Sequence, residues 1–265
     1  MTDVLATVDQ AGTATVTLHR PALHNAFNEG VIAELTQLFD QLGRDPDVRV
    51  ILLKGNGPSF SAGADLDWMR RMAGYTRDQN HADALGLATM LRTLNRCPKP
   101  TIAVVHGAAF GGGVGLVACC DIAVAAESAT FCLSEVKLGL IPATIGPYVV
   151  AAMGERACRR YFLTAERFSA AEAQAAGLVH QVVPAEQLNE AVATLVKRLG
   201  EGGPVAQAAA KQLVFDCANQ PVTDALISDT AERIARIRAS DEGREGVSAF
   251  LEKRKAAWVQ PAGDK

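Results

Sequence analysis

Apolar and polar residues follow two different rhythms along the first half of the chain, and their order predicts an α/β fold. Two β-rich segments, Val4–Val8 and Thr13–Leu18, are separated by a glycine and predict a hairpin. Asn28 then precedes apolar residues at helical spacing, which predicts a capped helix. A near-continuous apolar run, Val48–Leu53, follows as a buried strand. This order of strand, helix and strand indicates an α/β architecture with parallel pairing.

A long apolar stretch divides into a strand, a glycine-rich turn, a short helix and a second strand. The strands are predicted at Thr101–Val105 and Asp121–Ala126, and the turn contains Gly111, Gly112 and Gly113. Consecutive glycines after a strand let the backbone turn sharply and leave its N–H groups open to a ligand. This stretch is therefore a candidate anion or oxyanion site made of backbone.

Three other interpretations of the same stretch remain open. Residues 101–120 form a segment of twenty residues without a charged side chain. Such a segment is long enough to span a membrane as a helix, although five of its residues are glycine. Residues 113–118 fit the dinucleotide pattern G-x-G-x-x-[GA], but His106 to Phe110 intervene between the strand and the turn. Close packing of helix on strand would also explain Gly113 and Gly115. The order of strand, turn and helix favours a water-soluble core over the first of these.

The second half of the chain is predicted to be mainly helical. Its pattern contains two adjacent helices, a capping box and one more apolar strand, at residues 146–153, 155–163, 169–172 and 178–183. Four further helical patterns follow Ala185, and their apolar stripes need a surface to cover. We therefore expect a core domain over residues 1–200 and a helical oligomerisation region over residues 201–265.

Composition narrows the range of partners and compartments. The chain has 265 residues, 49% of them apolar, and a net charge of −3 without a run of Lys or Arg, so neither nucleic acid nor an anionic membrane is an expected partner. The first residues lack the basic and apolar regions of a signal peptide. Six cysteines without C-x-x-C spacing suggest reduced core residues of a cytoplasmic protein, and no Cys/His cluster suggests a metal.

A second small-residue junction lies upstream of the glycine cluster. The loop from Lys54 to Leu66 leads from a buried strand into a helix, so its amides near Ala64 can point at a ligand. An Asp-capped helix start at Asp65 would explain this loop equally well. The pairing of two such junctions, near Ala64 and near Gly112, is what indicates an oxyanion hole, since that site needs two convergent backbone donors.

Several segments in the same order resemble the enoyl-CoA hydratase/isomerase family, also called the crotonase family. The resemblance covers essentially the whole chain and is carried by RPALHNAF (20–27), FSAGADL (60–66), AFGGGVGL (109–116), CDIAVAAESATF (120–131), LGLIP (138–142) and FLEKRK (250–255). Residues 131–168 are most similar to bacterial methylglutaconyl-CoA and isohexenylglutaconyl-CoA hydratases. The resemblance implies a crotonase fold of repeated ββα units, with a C-terminal helical trimerisation region.

The resemblance also implies a substrate and the residues that bind it. The substrate is an acyl-CoA thioester, so coenzyme A enters with the substrate and no separate cofactor is expected. The N–H groups of Ala64 and Gly112 would hold the thioester oxygen, and Phe250 and Lys253 would help close a CoA site of this or a neighbouring subunit. The loop expected to contact coenzyme A consists of Ala62, Gly63, Ala64, Asp65 and Leu66. The expected assembly is a homotrimer or a dimer of trimers.

Glu135 falls where the family keeps a catalytic glutamate, and its apolar neighbours suit a general base. A carboxylate in an apolar pocket has its pKa raised toward the working pH. A surface carboxylate paired with Lys137 is the alternative that spacing alone allows. Gly115 stands where two-glutamate hydratases carry their second carboxylate, which puts the paired-glutamate scheme in doubt and predicts a roomier pocket beside the β-carbon.

These features together predict a lyase that adds water across the 2,3 double bond of an enoyl-CoA, with a branched acyl group. A Δ3,Δ2-enoyl-CoA isomerase is the alternative enzyme, because moving a proton between two carbons needs only one base. A non-catalytic protein that binds CoA esters is the alternative outside enzymes. Glu135 in an apolar setting argues against that last interpretation.

Overall fold

The computed structural model describes residues 2–259, which form two sheets flanked by helices. The strands are β1 (Val4–Val8), β2 (Thr13–Leu18), β3 (Val50–Gly55), β4 (Thr101–Val105), β5 (Ala108–Phe110), β6 (Ile122–Ala126), β7 (Thr130–Cys132), β8 (Arg167–Ser169) and β9 (Gln181–Val183). The larger sheet has the order β1-β2-β3-β4-β6-β9, and the smaller sheet has the order β5-β7-β8.

Ten helices connect and cover these strands in the described part of the chain. They are α1 (Glu29–Arg44), α2 (Leu66–Met72), α3 (Arg77–Asn95), α4 (Gly112–Cys119), α5 (Gly146–Thr164), α6 (Ala170–Ala175), α7 (Leu188–Gly200), α8 (Pro204–Cys217), α9 (Asp224–Ala239) and α10 (Asp241–Leu251). Short 3-10 turns occupy Pro21–Leu23, Glu135–Leu138 and Ala185–Gln187.

The larger sheet pairs as the hydrophobic pattern predicts. β1 and β2 form an antiparallel hairpin. The other neighbouring pairs of this sheet are parallel: β2 with β3, β3 with β4, β4 with β6, and β6 with β9. Every residue of β4 is buried, because core residues cover both faces of the sheet. The carboxyl ends of parallel strands meet at one edge, so the loops after β3, β4 and β6 start side by side.

A repeated unit links the two sheets. β4, β5 and α4 follow one another as a strand of the larger sheet, a strand of the smaller sheet and a helix, and β6, β7 and α5 repeat this order with a 3-10 turn before the helix. A reduced form occurs upstream, where Ser61 forms a single bridge with Ala109 between β3 and α2. The structure thus has the expected ββα units, which do not show as self-similarity in the sequence.

Most predicted elements are confirmed, with differences that have physical causes. The stretch expected to be strand, turn and helix contains one more strand, β5, and this strand separates β4 from α4. The direct strand-to-helix turn of a dinucleotide site is therefore absent here. The two helices predicted on either side of residue 154 are confirmed: they adjoin within α5 and are separated by a kink at Gly154, where φ is +73° and ψ is +159°. β3 begins at Val50 rather than Val48.

The helices after Pro184 fall where their breaks predict, and they carry apolar residues that the described part of the chain leaves exposed. α9 has no buried residue and α10 has only Ala249. Lys211 of α8 forms an ion pair with Asp121 before β6, with Nζ 2.8 Å from Oδ2. The exposed apolar residues of α8, α9 and α10 are Val205, Val214, Ile227, Ile234, Val247, Phe250 and Leu251. The domain division at residue 200 stays a prediction, and residues 260–265 of the predicted C-terminal region lie outside the described residues.

Three features bear on the remaining sequence expectations. Among residues 2–259, no helix is both long enough and apolar enough to cross a membrane. All six cysteines fall within these residues and are free thiols, five of them buried, as their apolar surroundings predict. No group of three or more His, Cys, Asp or Glu side chains in the same residues is arranged to hold a metal ion.

Candidate active site

The loop after β3 is tied to Phe27 by a single parallel bridge, and this bridge orients the Ala64 amide. The Phe27 N–H donates to the Gly63 carbonyl at 2.8 Å, and the Asp65 N–H donates to the Phe27 carbonyl at 3.1 Å. Because the bridge uses the groups on either side of Ala64, the Ala64 N–H itself points away from Phe27. Gly63 turns the chain with a φ of +90°, which favours glycine.

Asp65 caps α2, as one interpretation of the loop predicts. Its Oδ1 accepts from the N–H groups of Asp67 at 2.9 Å and Trp68 at 3.1 Å, and its Oδ2 accepts from Arg20 at 3.0 Å. Burial acts to raise the pKa of Asp65, but these hydrogen bonds outweigh it and the pKa is lowered. Both carboxylate oxygens are therefore engaged in the fold, as are the Asp65 N–H, which donates to Phe27, and the Asp65 carbonyl, which accepts from Met69.

The rest of the predicted CoA loop leads outward to the surface. The Ala62 N–H donates to the His24 carbonyl at 2.9 Å, which fixes the loop against the segment before α1. Ala62 and Ala64 are half-buried, and Leu66 is 70% exposed at the first position of α2. The loop therefore connects the Ala64 amide with the outside of the molecule.

The glycine cluster forms the start of α4. Gly111 has a φ of +50° and a ψ of −117°, and its N–H donates to the Cys132 carbonyl at 2.8 Å. Gly112 is the first residue of α4, so its N–H has no acceptor within the helix. A Cβ at Gly112 would meet the Phe27 ring, with Cε2 only 3.1 Å away. Only glycine leaves room for the backbone at this position.

The two junctions touch each other. A Cβ at Gly63 would lie 2.9 Å from the Phe110 carbonyl oxygen and 3.6 Å from the Gly112 nitrogen. In the described part of the chain, neither the Ala64 N–H nor the Gly112 N–H donates to a protein acceptor. Two unpaired amides from adjacent loops are suited to bind one oxygen that carries developing negative charge.

Glu135 stands next to this pair, at the start of the turn that follows β7. A Cβ at Gly111 would lie 3.2 Å from Glu135 Oε1, so the carboxylate packs on the glycine cluster. Its Oε2 is buried and has no hydrogen-bond partner among residues 2–259. Burial raises the pKa of Glu135. A buried carboxylate oxygen without a partner is costly, and such groups mark functional sites.

Lys137 does not pair with Glu135, so that alternative interpretation is wrong. The Lys137 Nζ donates to the Ala165 carbonyl at 2.7 Å instead. Within residues 2–259, the Glu135 carboxylate forms neither an ion pair nor a hydrogen bond with another side chain. No counter-charge in this part of the chain therefore holds the base candidate.

The space beside Gly115 is filled, which corrects the expectation of a roomier pocket at this point. A Cβ at Gly115 would lie 2.9 Å from the Cβ of Ile145, and the Ile145 Cγ2 is closer still. Ile145 immediately precedes α5 and is 2% exposed. The chain itself therefore occupies the volume of a side chain at residue 115.

Phe250 and Lys253 are not brought to the other site residues by hydrogen bonds or ion pairs. Phe250 is 82% exposed near the end of α10, and Lys253 follows the helix with a φ of +55°. No polar contact in residues 2–259 joins this segment to the Ala62–Leu66 loop. His106, directly after β4, donates through its Nε2 to the Gly57 carbonyl at 2.8 Å.

Sequence reasoning missed two residues of the site, Phe27 and Ile145. Phe27 positions the Ala64 amide through its backbone and contacts Gly112 through its ring. Its position at the end of RPALHNAF was the available signal, since that segment belongs to the family resemblance. Ile145 carries no signal of its own, because an apolar residue before a helix has many other uses.

Comparison with known proteins finds relatives that match nearly the whole chain. The model of the enoyl-CoA hydratase/isomerase family matches residues 9–261. The 2,3-dehydroadipyl-CoA hydratase of Escherichia coli (strain K12) is 32% identical over 242 residues, which cover 90% of this chain and 92% of that protein. The enoyl-CoA hydratase ACTT6 of Alternaria alternata is 35% identical over 260 residues, covering 96% of this chain and 83% of that protein.

The fold is also shared with solved structures. The crystal structure of an enoyl-CoA hydratase from Shewanella pealeana ATCC 700345 superposes with a TM-score of 0.94 at 46% identity, covering 97% of this chain and 96% of that one. The crotonase architecture of repeated ββα units is thus confirmed. The family match, the relatives and the structural similarity lead to one conclusion: this chain is a member of the enoyl-CoA hydratase/isomerase, or crotonase, family.

Proposed function

We propose that this protein is an enoyl-CoA hydratase that adds water across the 2,3 double bond of an acyl-CoA thioester. The observation that carries the proposal is the buried, unpartnered Oε2 of Glu135 beside the unpaired amides of Ala64 and Gly112. The family membership and the names of relatives in bacteria and fungi support the same reaction.

The thioester oxygen binds to the N–H groups of Ala64 and Gly112. Addition of water to C3 moves electrons onto this oxygen as an enolate forms, and the two amides stabilise that charge where it develops. Loss of one donor in such a site typically lowers the rate by about 10²–10³. Because the donors belong to the backbone and are held by the Phe27 bridge, they need no rearrangement during the reaction.

Glu135 is the general base. It takes a proton from water, the water oxygen bonds to C3, and C2 of the enolate then receives a proton from the same carboxyl group or from solvent. The hydroxyl at C3 and the hydrogen at C2 together equal one water, so the reaction is balanced without a metal or redox partner. The raised pKa of Glu135 strengthens it as a base near neutral pH.

We infer that the acyl group is branched, of the methylglutaconyl type. The support is the similarity of residues 131–168 to hydratases of branched glutaconyl esters and the absence of a second carboxylate at Gly115. The loop from Ala62 to Leu66 would contact coenzyme A, with Phe250 and Lys253 closing the CoA site of this or a neighbouring subunit. The uncovered apolar residues of α8, α9 and α10 support a trimer or a dimer of trimers.

A panel of CoA thioesters tests the proposal. Crotonyl-CoA, 3-methylglutaconyl-CoA and isohexenylglutaconyl-CoA are incubated with the protein, and loss of the enoyl-thioester absorbance is followed together with the product mass. We expect a mass gain of one water and a higher kcat/KM for the branched esters than for crotonyl-CoA. A preference for crotonyl-CoA would contradict the branched assignment, and no water uptake with any ester would contradict hydration.

The Δ3,Δ2-isomerase alternative is favoured by one observation, the single carboxylate at the site. A 3-enoyl-CoA converted to the 2-enoyl isomer without a change of mass would assign that reaction. In either case Glu135→Gln removes the base while keeping the shape of the side chain. We expect it to abolish turnover and to leave the affinity for a saturated acyl-CoA within several-fold. Near-normal turnover in this variant would rule out Glu135 as the base.

A further inference from the structure

Two residues of the site exclude each other by volume. A Cβ at Gly115 would lie 2.9 Å from the Ile145 Cβ and 3.6 Å from the Leu91 Cδ2. Ile145 is 2% exposed and Leu91 is fully buried, so neither side chain can move aside without disturbing the core. An isoleucine at 145 and a side chain at 115 therefore cannot both be accommodated.

This pair lies beside the proposed reaction centre. Gly115 is three residues beyond Gly112 on α4, a rise of roughly 4.5 Å along the helix axis. The Gly115 N–H donates to the Gly111 carbonyl at 3.3 Å, and Gly111 in turn packs on Glu135 Oε1. Ile145 therefore packs on the first turn of α4, which presents the Gly112 amide, and the Glu135 carboxylate packs on Gly111 just before that turn.

The base and this apolar residue come from one segment. Glu135 opens the 3-10 turn after β7, and Ile145 closes the same connection at the start of α5. The carboxylate has no side-chain partner in the described residues, and the volume that a second carboxylate at residue 115 would enter is filled by Ile145. The apolar side chain of Ile145 thus occupies the place of a second ionisable group.

We propose that Ile145 is a specificity-determining residue: it takes the place of a side chain at residue 115 and restricts the site to chemistry with one carboxylate. This inference rests on the proposed function. With Glu135 alone, one carboxyl group removes a proton from water. The same group then gives that proton to C2, or releases it to solvent while C2 takes a proton from solvent. A carboxylate at residue 115 would divide these tasks between a base and an acid. Ile145 and Leu91 fill the volume beside Gly115, so it is closed to a second carboxylate.

Four proteins test the exclusion: the wild type, Gly115→Glu, Ile145→Gly, and the double variant. Thermal unfolding gives a double-mutant cycle that needs no substrate. Overpacking in a core is destabilising, so we expect Gly115→Glu alone to lower Tm by about 5 °C or more. In the Ile145→Gly background, Gly115→Glu should lower Tm by at most a small part of that amount. Equal costs in the two backgrounds would overturn the inference.

The pH dependence of kcat/KM tests the chemical part. The wild type should show a single acid limb, set by Glu135, because one carboxylate must be ionised. The double variant places two carboxylates at the site, so we expect a second ionisation and a bell-shaped profile. If Ile145 served only to pack the core, replacing it would not add a second limb to the pH profile of the double variant. A single limb in a folded, active double variant would overturn the proposal.

Two further variants separate this role from general packing. Val149→Ala removes a buried side chain four residues later, on α5, and should lower Tm while leaving the ratio of kcat/KM for branched and unbranched esters unchanged. Ile145→Ala opens space beside Gly115 that a branch of the acyl group can enter, so it should change that ratio by about tenfold or more. An unchanged ratio in Ile145→Ala would contradict the specificity role. If no thioester is hydrated by the wild type, the proposed function fails, while the Tm cycle still decides whether the two residues exclude each other.

Discussion

The aromatic ring of Phe27 fills the space where Gly112 would carry a side chain, although the two residues lie far apart in the chain. The Phe27 backbone is also bonded on both sides of Ala64. One residue therefore contacts both segments whose amides we propose to bind the thioester oxygen. The spacing between those amides depends on the absence of a side chain at residue 112.

Gly112→Ala tests this relationship directly. The added methyl group would collide with the Phe27 ring and displace the start of α4, so the two amides would no longer converge. We expect kcat to fall by about 10²–10³, the typical effect of losing one oxyanion donor. Enoyl-CoA turnover and the Tm are measured together, and the Phe27→Leu background should recover part of the lost rate by relieving the collision.

Gly86→Ala is the matched control. Gly86 lies within α3, and a Cβ added there meets nothing within 4 Å. Alanine is favoured over glycine in a helix by up to about 1 kcal/mol, so this variant should be slightly more stable and fully active. Full activity in Gly112→Ala as well would show that the proposed donor is not needed.

Glu135→Gln is expected to raise stability near neutral pH while abolishing turnover. Burial raises the pKa of Glu135 in the folded protein, so the folded protein binds a proton more readily than the unfolded chain does. Stability then decreases as pH rises from the ordinary carboxyl pKa of about 4.3 through the raised value. Glutamine carries no charge and avoids this loss.

The Tm difference between Glu135→Gln and the wild type should therefore shrink as the pH is lowered toward the ordinary carboxyl pKa. Thermal unfolding over this range measures it. Glu166→Gln is the control: a hydrogen bond from Arg160 lowers the pKa of Glu166, so this variant should be less stable than the wild type at neutral pH. A Glu135→Gln variant that is less stable than the wild type at neutral pH would contradict the account of Glu135 as a carboxylate whose burial raises its pKa.

Asp65→Ala should destabilise the protein by removing the cap of α2 and the partner of Arg20. Loss of an N-cap costs about 0.5–2 kcal/mol. The pKa of Asp65 is lowered in the fold, so its contribution is present above the ordinary aspartate pKa and is lost as pH falls through the folded value. Urea unfolding at neutral and acid pH measures both effects.

Asp67→Ala provides the comparison for Asp65. Asp67 pairs with Arg70 three residues away, and both side chains are about three-quarters exposed. Exposed pairs of this kind contribute about 0–1 kcal/mol, so little change is expected. Equal effects of the two substitutions would show that the hydrogen bonds of Asp65 add nothing beyond a surface charge.

Lys211→Met tests how α8 is attached to the sheet. Its Nζ lies 2.8 Å from Asp121 Oδ2, and the same oxygen accepts from the N–H and hydroxyl of Thr101. The lysine side chain is only 12% exposed. We expect a loss of about 1–3 kcal/mol in the free energy of unfolding, because a charged acceptor in a mostly buried place loses a partner.

Arg44→Met is the control for Lys211. The Arg44–Asp40 pair has a similar distance of 2.8 Å but is largely exposed, and its removal should change stability by less than about 1 kcal/mol. A Lys211 variant as stable as the Arg44 variant would mean that the ion pair does not hold α8 in place.

Assembly is expected to depend on the apolar faces of α8, α9 and α10. Light scattering at micromolar concentration should give a trimer or a multiple of three for the wild type. Ile234→Asp places a charge on the exposed face of α9 and should lower the measured mass. Val8→Asp, at a residue of matching exposure on β1, should leave it unchanged. A monomeric wild type would contradict the assembly proposal.

Local patterns in the sequence determined most of the architecture. The strands of the larger sheet and the capped helices follow from apolar runs, helical spacing and turn residues, all of which act over a few neighbouring positions. The glycines near Ala64 and Gly112 indicated backbone donors because only glycine and other small residues leave an amide open. The family motifs and Glu135 could be recognised in the same way, since they are continuous segments.

Only the tertiary structure decided how these pieces meet. The strands β5, β7 and β8 have three residues each, too few for a recognisable period, and they form because the ββα units bring them together. The contacts of Phe27 with Gly112 and of Ile145 with Gly115 join residues far apart in the chain, and no local pattern encodes a volume shared between them. Within residues 2–259, the lack of an ion pair at Glu135 is likewise a property of its surroundings. A carboxylate becomes a buried base only when packing removes water and every counter-charge from its reach.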